Sequence, residues 1–311
     1  MIDVTVIKLN LTRITAALSV LHLTSEISNM APPCFADLGK QSRDIFNKNY
    51  HIGLMKLECK TKTATGVNFT VSGTSNNDTG RVNAFLETNY NIQKHGVTIK
   101  EKWNTDNILA TELSVENQFV KGLKLSLDTS FAPQTGKKSG TFCSAYKNEY
   151  VHLNGDLDLD LSSPQMHVAG VINYQNWLVG AKLVGCLSKN QVMKTNIGLG
   201  YSLGDFVFHS NVIDGQEFGG CMYQKVNEQL QSGMTLSWVA GTNETKFGLG
   251  CVYKIDDDTS LRAKVNNNSQ IGLSFTHRLR KGIQLTLSAL IDGKSFNQGG
   301  HKIGLGLELE G

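Results

Sequence analysis

The stretch HGVTIKEKW, residues 95–103, sets a carboxylate in unusual company. Read at the period of a strand, Val97, Ile99, Glu101 and Trp103 share one face, and Thr98, Lys100 and Lys102 share the other. An acid among apolar neighbours is costly, which makes Glu101 a candidate functional residue; the bland reading is an acid near a strand end that reaches polar surroundings. A second group is cationic. Residues 34–48, CFADLGKQSRDIFNK, carry Lys40, Arg43 and Lys48, and the polar faces of later segments carry Lys56, Lys60, Lys62, Arg262 and Lys264. Lys and Arg brought together favour anions and phosphates; dispersed, they are ordinary solvated charges. Asp156, Asp158 and Asp160 oppose them, so any anion preference is modest. Catalytic chemistry finds no support. There is no P-loop, HExxH or GxSxG motif. GLGLELE near the end is glycine-spaced but alternates like a strand, so it is no dinucleotide fingerprint. The six cysteines, at 34, 59, 143, 186, 221 and 251, form no CxxC pair. They read as free thiols, with no metal and no cofactor implied.

The elements that must hold these residues are strands. In VHLNGDLDLDL, residues 151–161, Val151, Leu153, Leu157, Leu159 and Leu161 oppose His152, Asn154, Asp156, Asp158 and Asp160. Leu123, Leu125, Leu127 and Phe131 oppose Lys124, Ser126 and Asp128, and Ile283, Leu285 and Leu287 oppose Gln284, Thr286 and Ser288. The last segment repeats the pattern, with Ile303, Leu305, Leu307 and Leu309 against Lys302, Gly304, Gly306, Glu308 and Glu310. Turn clusters such as QTGKKSG, GTNET and NNNS separate the segments, and 31 glycines suit that many turns. Nineteen strands can be placed after residue 53. One helical stretch precedes them: Phe35, Leu38, Ile45 and Phe46 recur at helical spacing across residues 34–48, predicting a single amphipathic helix of about four turns behind Pro32-Pro33.

The sequence holds no apolar run long enough for a membrane-spanning helix. Strands evade that search, because their lipid-facing and lumen-facing residues alternate. Many strands long enough for a tilted bilayer crossing, with charged residues on one face and no helical covering layer, leave the apolar face one partner, which is lipid. The net charge of +3 is mild and excludes a nucleic-acid binder.

Several blocks are more specific. FADLGKQSRDIFNK, EKWNTDN, GLKLSLDTSF, DGQEFGGCMYQKVN, AKVNNNSQIGLSFT, LTLSALIDGK and GGHKIGLGLELE resemble the voltage-dependent anion channels, the eukaryotic porin family, and the second and third vertebrate isoforms in particular. The likeness runs from about Met30 to Gly311. It implies an all-β, 19-stranded transmembrane barrel, a number this family is known for. It also implies a parallel pairing of first and last strands and an amphipathic helix inside the pore. The expected organisation is an extension over residues 1–29, disordered and with neither a good presequence nor a clear signal peptide, a helix and hinge over 30–53, and the barrel over 54–311.

The resemblance implies a voltage-gated, weakly anion-selective channel of the mitochondrial outer membrane, passing ATP, ADP, phosphate and small ions, and no enzyme. With the helix in the lumen, Lys48, Lys40 and Arg43 become expected nucleotide and anion contacts, Lys48 foremost. Glu101 matches a membrane-facing glutamate linked to hexokinase docking. Lys302, Gly304, Leu307 and Leu309 match a targeting signal in the last strand. Bcl-2-family proteins and further copies of the chain are expected partners, and a poorly conducting docking platform is the alternative function. One departure concerns the hinge. The family is glycine-rich there, whereas this chain reads Asn49-Tyr50-His51-Ile52-Gly53 and keeps Gly53 alone. Asn49 and His51 reach glycine's backbone angles less easily, so stiff or shifted gating is expected.

Overall fold

The computed structural model describes residues 31–159, 163–189, 191–242, 244–294, 296 and 299–311. The extension 1–29, Asp160 and Leu161 lie outside the described residues. Among those described there are nineteen strands. They are β1 Leu54–Lys62, β2 Val67–Asn76, β3 Val82–Ile92, β4 Val97–Asn104, β5 Leu109–Glu116, β6 Leu123–Ala132 and β7 Lys137–Lys147. Next come β8 Val151–Asp158, β9 Gln165–Tyr174, β10 Trp177–Cys186, β11 Gln191–Leu203, β12 Phe206–Ile213 and β13 Glu217–Lys225. The rest are β14 Leu230–Val239, β15 Thr245–Lys254, β16 Thr259–Asn266, β17 Gln270–Arg280, β18 Ile283–Asp292 and β19 Lys302–Glu310.

Each strand pairs antiparallel with its sequence neighbours, and β1 closes the sheet by pairing parallel with β19. Nineteen is odd, so the first and last strands of a meander point the same way and can only close in parallel. The seam register sets Met55 beside Leu305, Leu57 beside Leu307 and Cys59 beside Leu309. These residues all lie on the outer face, so the apolar belt continues across the closure. A slip of β1 by one residue would turn Lys56 and Glu58 into the lipid. Hairpins close on residues that accept left-handed backbone; Asp214 and Gly215, at φ 52° and 67°, make one such tight turn.

The protein is a transmembrane barrel, and among the described residues its buried apolar side chains are few: Leu38, Ile45, Val171, Cys186 and Val252. Large apolar side chains on the outer faces stay exposed to the surroundings: Trp103 is 56% exposed, Leu153 48% and Ile303 74%. No described helix is long and apolar enough to cross a membrane; the strands make the crossing.

The stretch 34–48 departs from the single four-turn helix expected of it. A 3-10 turn covers Phe35–Asp37, the chain bends at Gly39 (φ 70°), and a helix, α1, runs only from Lys40 to Asn47. The break has a local cause and a local repair. Gly39 takes the left-handed conformation, which ends one helical path and starts another. Arg43 then donates from its guanidinium to the Leu38 carbonyl at 2.8 Å and to the Ala36 carbonyl, filling acceptors that a continuous helix would have satisfied. The apolar stripe survives the break. Leu38 and Ile45 are buried against the barrel's inner wall. The wall makes room by omitting side chains: a Cβ on Gly180 of β10 would lie 2.8 Å from Phe35, and one on Gly250 of β15 would lie 2.8 Å from Ile45. Part of the glycine content thus seats the helix; turns account for only some of it.

Candidate functional site: the helix-lined lumen

The lumen is built from the inward residues of the strands and the exposed face of α1. Lys40 and Arg43 lie on that exposed face, as the helical spacing predicts; Lys48, expected within the helix, is the extended residue just past its end and is exposed too. They are not equivalent. Lys40 pairs with Asp37 at 3.2 Å. The Cys34 thiol donates to the same carboxylate at 3.0 Å, and this bond with the Lys40 charge holds the Asp37 carboxyl below its usual range. Burial, then the bond to Asp37, pushes the Cys34 thiol up. Arg43 has two donors committed to the helix break. The Lys48 ammonium has no ion pair or hydrogen bond among the described residues, so it is the helix cation most available to an anion in the pore.

Two wall cations singled out as lumen-facing are engaged elsewhere. Arg262 of β16 donates to the Asp44 carbonyl at 3.1 Å, and Lys264 donates to the Phe46 carbonyl at 2.6 Å. These carbonyls belong to the last turn of α1, the end with partial negative charge; that of Asp44 accepts from the Lys48 N–H as well, at 3.1 Å. The two cations therefore cap the helix and bind it to the wall. Tyr50 completes the clamp, with Lys264 4.1 Å above its ring. Burial there pushes the Tyr50 hydroxyl up to about 12. Lys56 and Lys60 are also occupied, by Glu58 at 2.7 and 2.6 Å, with Glu308 3.7 Å from Lys56. Lys62 stays exposed at the end of β1. Of the opposing acids, Asp158 accepts from Thr141 at 2.9 Å. Asp156 lines a cavity of about 540 Å³ between the 3-10 turn and the wall, with Lys182, His167 and Glu217.

The hinge is the part the sequence describes least well. Asn49 does adopt left-handed backbone, at φ 63°, and Gly53 does so at 71°. Asparagine tolerates that region, so the turn is kept with one glycine where a glycine-rich hinge would use more. The segment is also fastened. The Asn49 carbonyl accepts from Ser274 and Ser288, its amide donates to Thr276 at 3.4 Å, and the His51 N–H donates to Ser288 at 3.1 Å. Ser274, Thr276, Thr286 and Ser288 are all buried. Nothing in the sequence reading singled out these hydroxyls. A signal was present: the inner faces of GLSFT and LTLSA carry hydroxyls and glycine with no charge, unlike their neighbours.

Glu101 lies on the outer face of β4, between Ile99 and Trp103, and is exposed there. Its strand neighbours in register are Thr88 and Thr111. Its carboxylate has no ion pair or hydrogen bond among the described residues. The segment assigned to targeting divides between the two faces. Leu307 and Leu309 point outward, Lys302 pairs with Asp78, and Gly304 lies under the hinge.

A family model described as eukaryotic porin matches residues 31–304. A turkey protein (Meleagris gallopavo) named non-selective voltage-gated ion channel VDAC2 is 54% identical over 279 residues, covering 90% of this chain and 94% of its own. The human protein of the same name is 52% identical, at 90% and 95% coverage. The Drosophila melanogaster voltage-dependent anion-selective channel is 50% identical over 281 residues, covering 90% of this chain and all of its own.

Proposed function

This chain belongs to the eukaryotic porin family, and on that premise we propose that it is a voltage-gated, weakly anion-selective channel of the mitochondrial outer membrane. Its permeants are ATP, ADP, phosphate and small ions. The observation that carries the reading is the unpaired Lys48 ammonium, set in the lumen just past the end of a helix that the wall clamps in place. A fixed cation in a polar pore lowers the energy of a passing phosphate without holding it, as conduction requires. Arg43 and Lys40 act around it with part of their charge committed elsewhere. The pore does its work by shape and charge, with no chemical step. The hinge of Asn49, His51 and Gly53 is the segment that flexes on gating, and Lys302, Gly304, Leu307 and Leu309 address the chain to its membrane.

Single-channel current in a planar bilayer with a salt gradient tests this, on protein starting at Met1 and at Met30. Large steps with an anion-preferring reversal potential, which close with voltage, are expected. Lys48→Gln should move the reversal potential toward zero. Folded barrel that passes no current would refute the channel reading.

A second reading rests on two observations, the unpaired Glu101 on the lipid face and the fastened hinge. In that reading the barrel conducts or gates poorly and serves as a docking platform for hexokinase and Bcl-2-family proteins, or for further copies of itself. Membrane recruitment of hexokinase by wild type and by Glu101→Gln separates the two: equal recruitment removes Glu101 from a docking role.

A further inference from the structure

His51 lies over two glycines of the last strand. A Cβ on Gly304 would overlap the His51 carbonyl oxygen. A Cβ on Gly306 would overlap Cδ2 of the His51 ring and stand 2.6 Å from its Nε2. Both approaches are far inside van der Waals contact, so neither position admits a side chain while the hinge is seated. Gly304 receives the backbone of residue 51 and Gly306 receives the imidazole. Ser288 of β18 fixes the same residue through its N–H, at 3.1 Å. The Nε2 atom is buried and has no hydrogen-bond partner among the described residues.

An imidazole held this way is better neutral than charged. Burial lowers its proton affinity, and the Lys56 ammonium of β1 lowers it further. Glu308 of β19 and Glu58 of β1 act in the opposite direction but do not prevail. Both acids already face lysines, Glu58 with Lys56 and Lys60, Glu308 with Lys56. Lys302 and Asp78, beside Gly53, neutralise each other. Ser288, the β18 residue that bonds His51, is uncharged.

We propose that His51, Gly304, Gly306 and Ser288 form a latch that holds the hinge segment against β18 and β19 at neutral pH and releases it when the imidazole takes a proton. The latch rests on the reading that this segment moves during gating, and it names what controls the movement. A freed histidine titrates near its ordinary value of 6.5, whereas the seated one takes its proton only at lower pH. Below 6.5 the released segment binds a proton that the seated segment refuses, so the latch weakens as pH falls and keeps its full strength above that value. A glycine at position 51 would carry no such dependence.

Hydrogen exchange of the peptide covering residues 48–54, in full-length protein in lipid nanodiscs, tests the latch without requiring current. Rates are corrected for intrinsic exchange and compared at pH 7.5 and 5.5. Wild type should lose protection severalfold at the lower pH, and His51→Gln should show the same protection at both. Gly306→Ala should be unprotected at both. Equal protection of wild type at the two pH values, or an equal loss in His51→Gln, would overturn the latch. Voltage ramps on the same preparations keep this separate from the channel reading. Current that lacks a pH-responsive hinge removes the latch alone, and a pH-responsive hinge in a silent barrel keeps the latch and removes the channel.

Discussion

The inner face of β14 to β19, the wall beneath the helix and hinge, is made of small and hydroxylic residues: Gly233, Gly250, Ser274, Thr286, Ser288 and Gly304. The inner face of β3 to β6, far from the helix in strand order, carries charges in cross-strand pairs. Lys100 faces Glu87 at 3.4 Å and Lys124 faces Glu112 at 3.6 Å. One wall must accept a dry contact, where an unmatched charge would be expensive and a side chain would collide. The other meets water, where charges cost little and neutralise each other cheaply. Beneath the helix the charges of Arg262 and Lys264 are spent on helix carbonyls, and further along the same wall Arg278 pairs with Asp258, Glu308 with Lys56 and Lys302 with Asp78. A helix inside a pore is thus held by absences on the wall as much as by contacts.

Variants at these two walls should differ in size of effect. The largest belongs to Ile45, fully buried against the glycine seat. Ile45→Ala should cost about 2–5 kcal/mol of helix docking, by lost transfer energy and the cavity left behind. The readout is hydrogen exchange of residues 40–47, where each 1.4 kcal/mol is about a tenfold rise in rate. Lys264→Gln follows, because it removes a charged donor from the last turn of α1; about 1.5–3 kcal/mol is expected by the same measurement. Unchanged protection in that variant would mean that Lys264 merely lies near the helix end. Gly250→Ala places a methyl 2.8 Å from Ile45 and should cost about 1–3 kcal/mol, since the close-packed contact must shift. The smallest effect is on the open wall. Lys100→Gln breaks a half-exposed pair and should change stability by less than about 1 kcal/mol, while moving the reversal potential slightly toward cations. An effect there as large as that of Lys264→Gln would erase the distinction between the walls.

The barrel was legible because its information is local and repeated. Alternation in segments such as 151–161 and 301–311 states which residues face lipid, and a strand needs no distant partner to show that pattern. The outward placement of Glu101 and the apolar stripe of residues 35–46 were legible for the same reason, each read from the period of its own element. The helix break at Gly39 was hidden, since the apolar spacing continues through it and the compensating Arg43 looks like any solvated charge. Arg262 and Lys264 were visible as lumen-facing cations, but their partners Asp44 and Phe46 lie more than two hundred residues away. Gly304 of β19 could be read as part of a targeting pattern and Gly306 as one residue of a polar strand face, with no trace of the hinge that rests on them.

By itself the sequence determined a transmembrane barrel with a polar lumen, a cationic helix ahead of it and one acid on its outer face. Side-chain period and turn chemistry act within a few residues, so they are written along the chain. Tertiary structure alone decided which cations remain free, which wall the helix covers and where His51 is seated. Those depend on what the closed barrel brings within hydrogen-bonding distance, and closure joins residues from opposite ends of the chain.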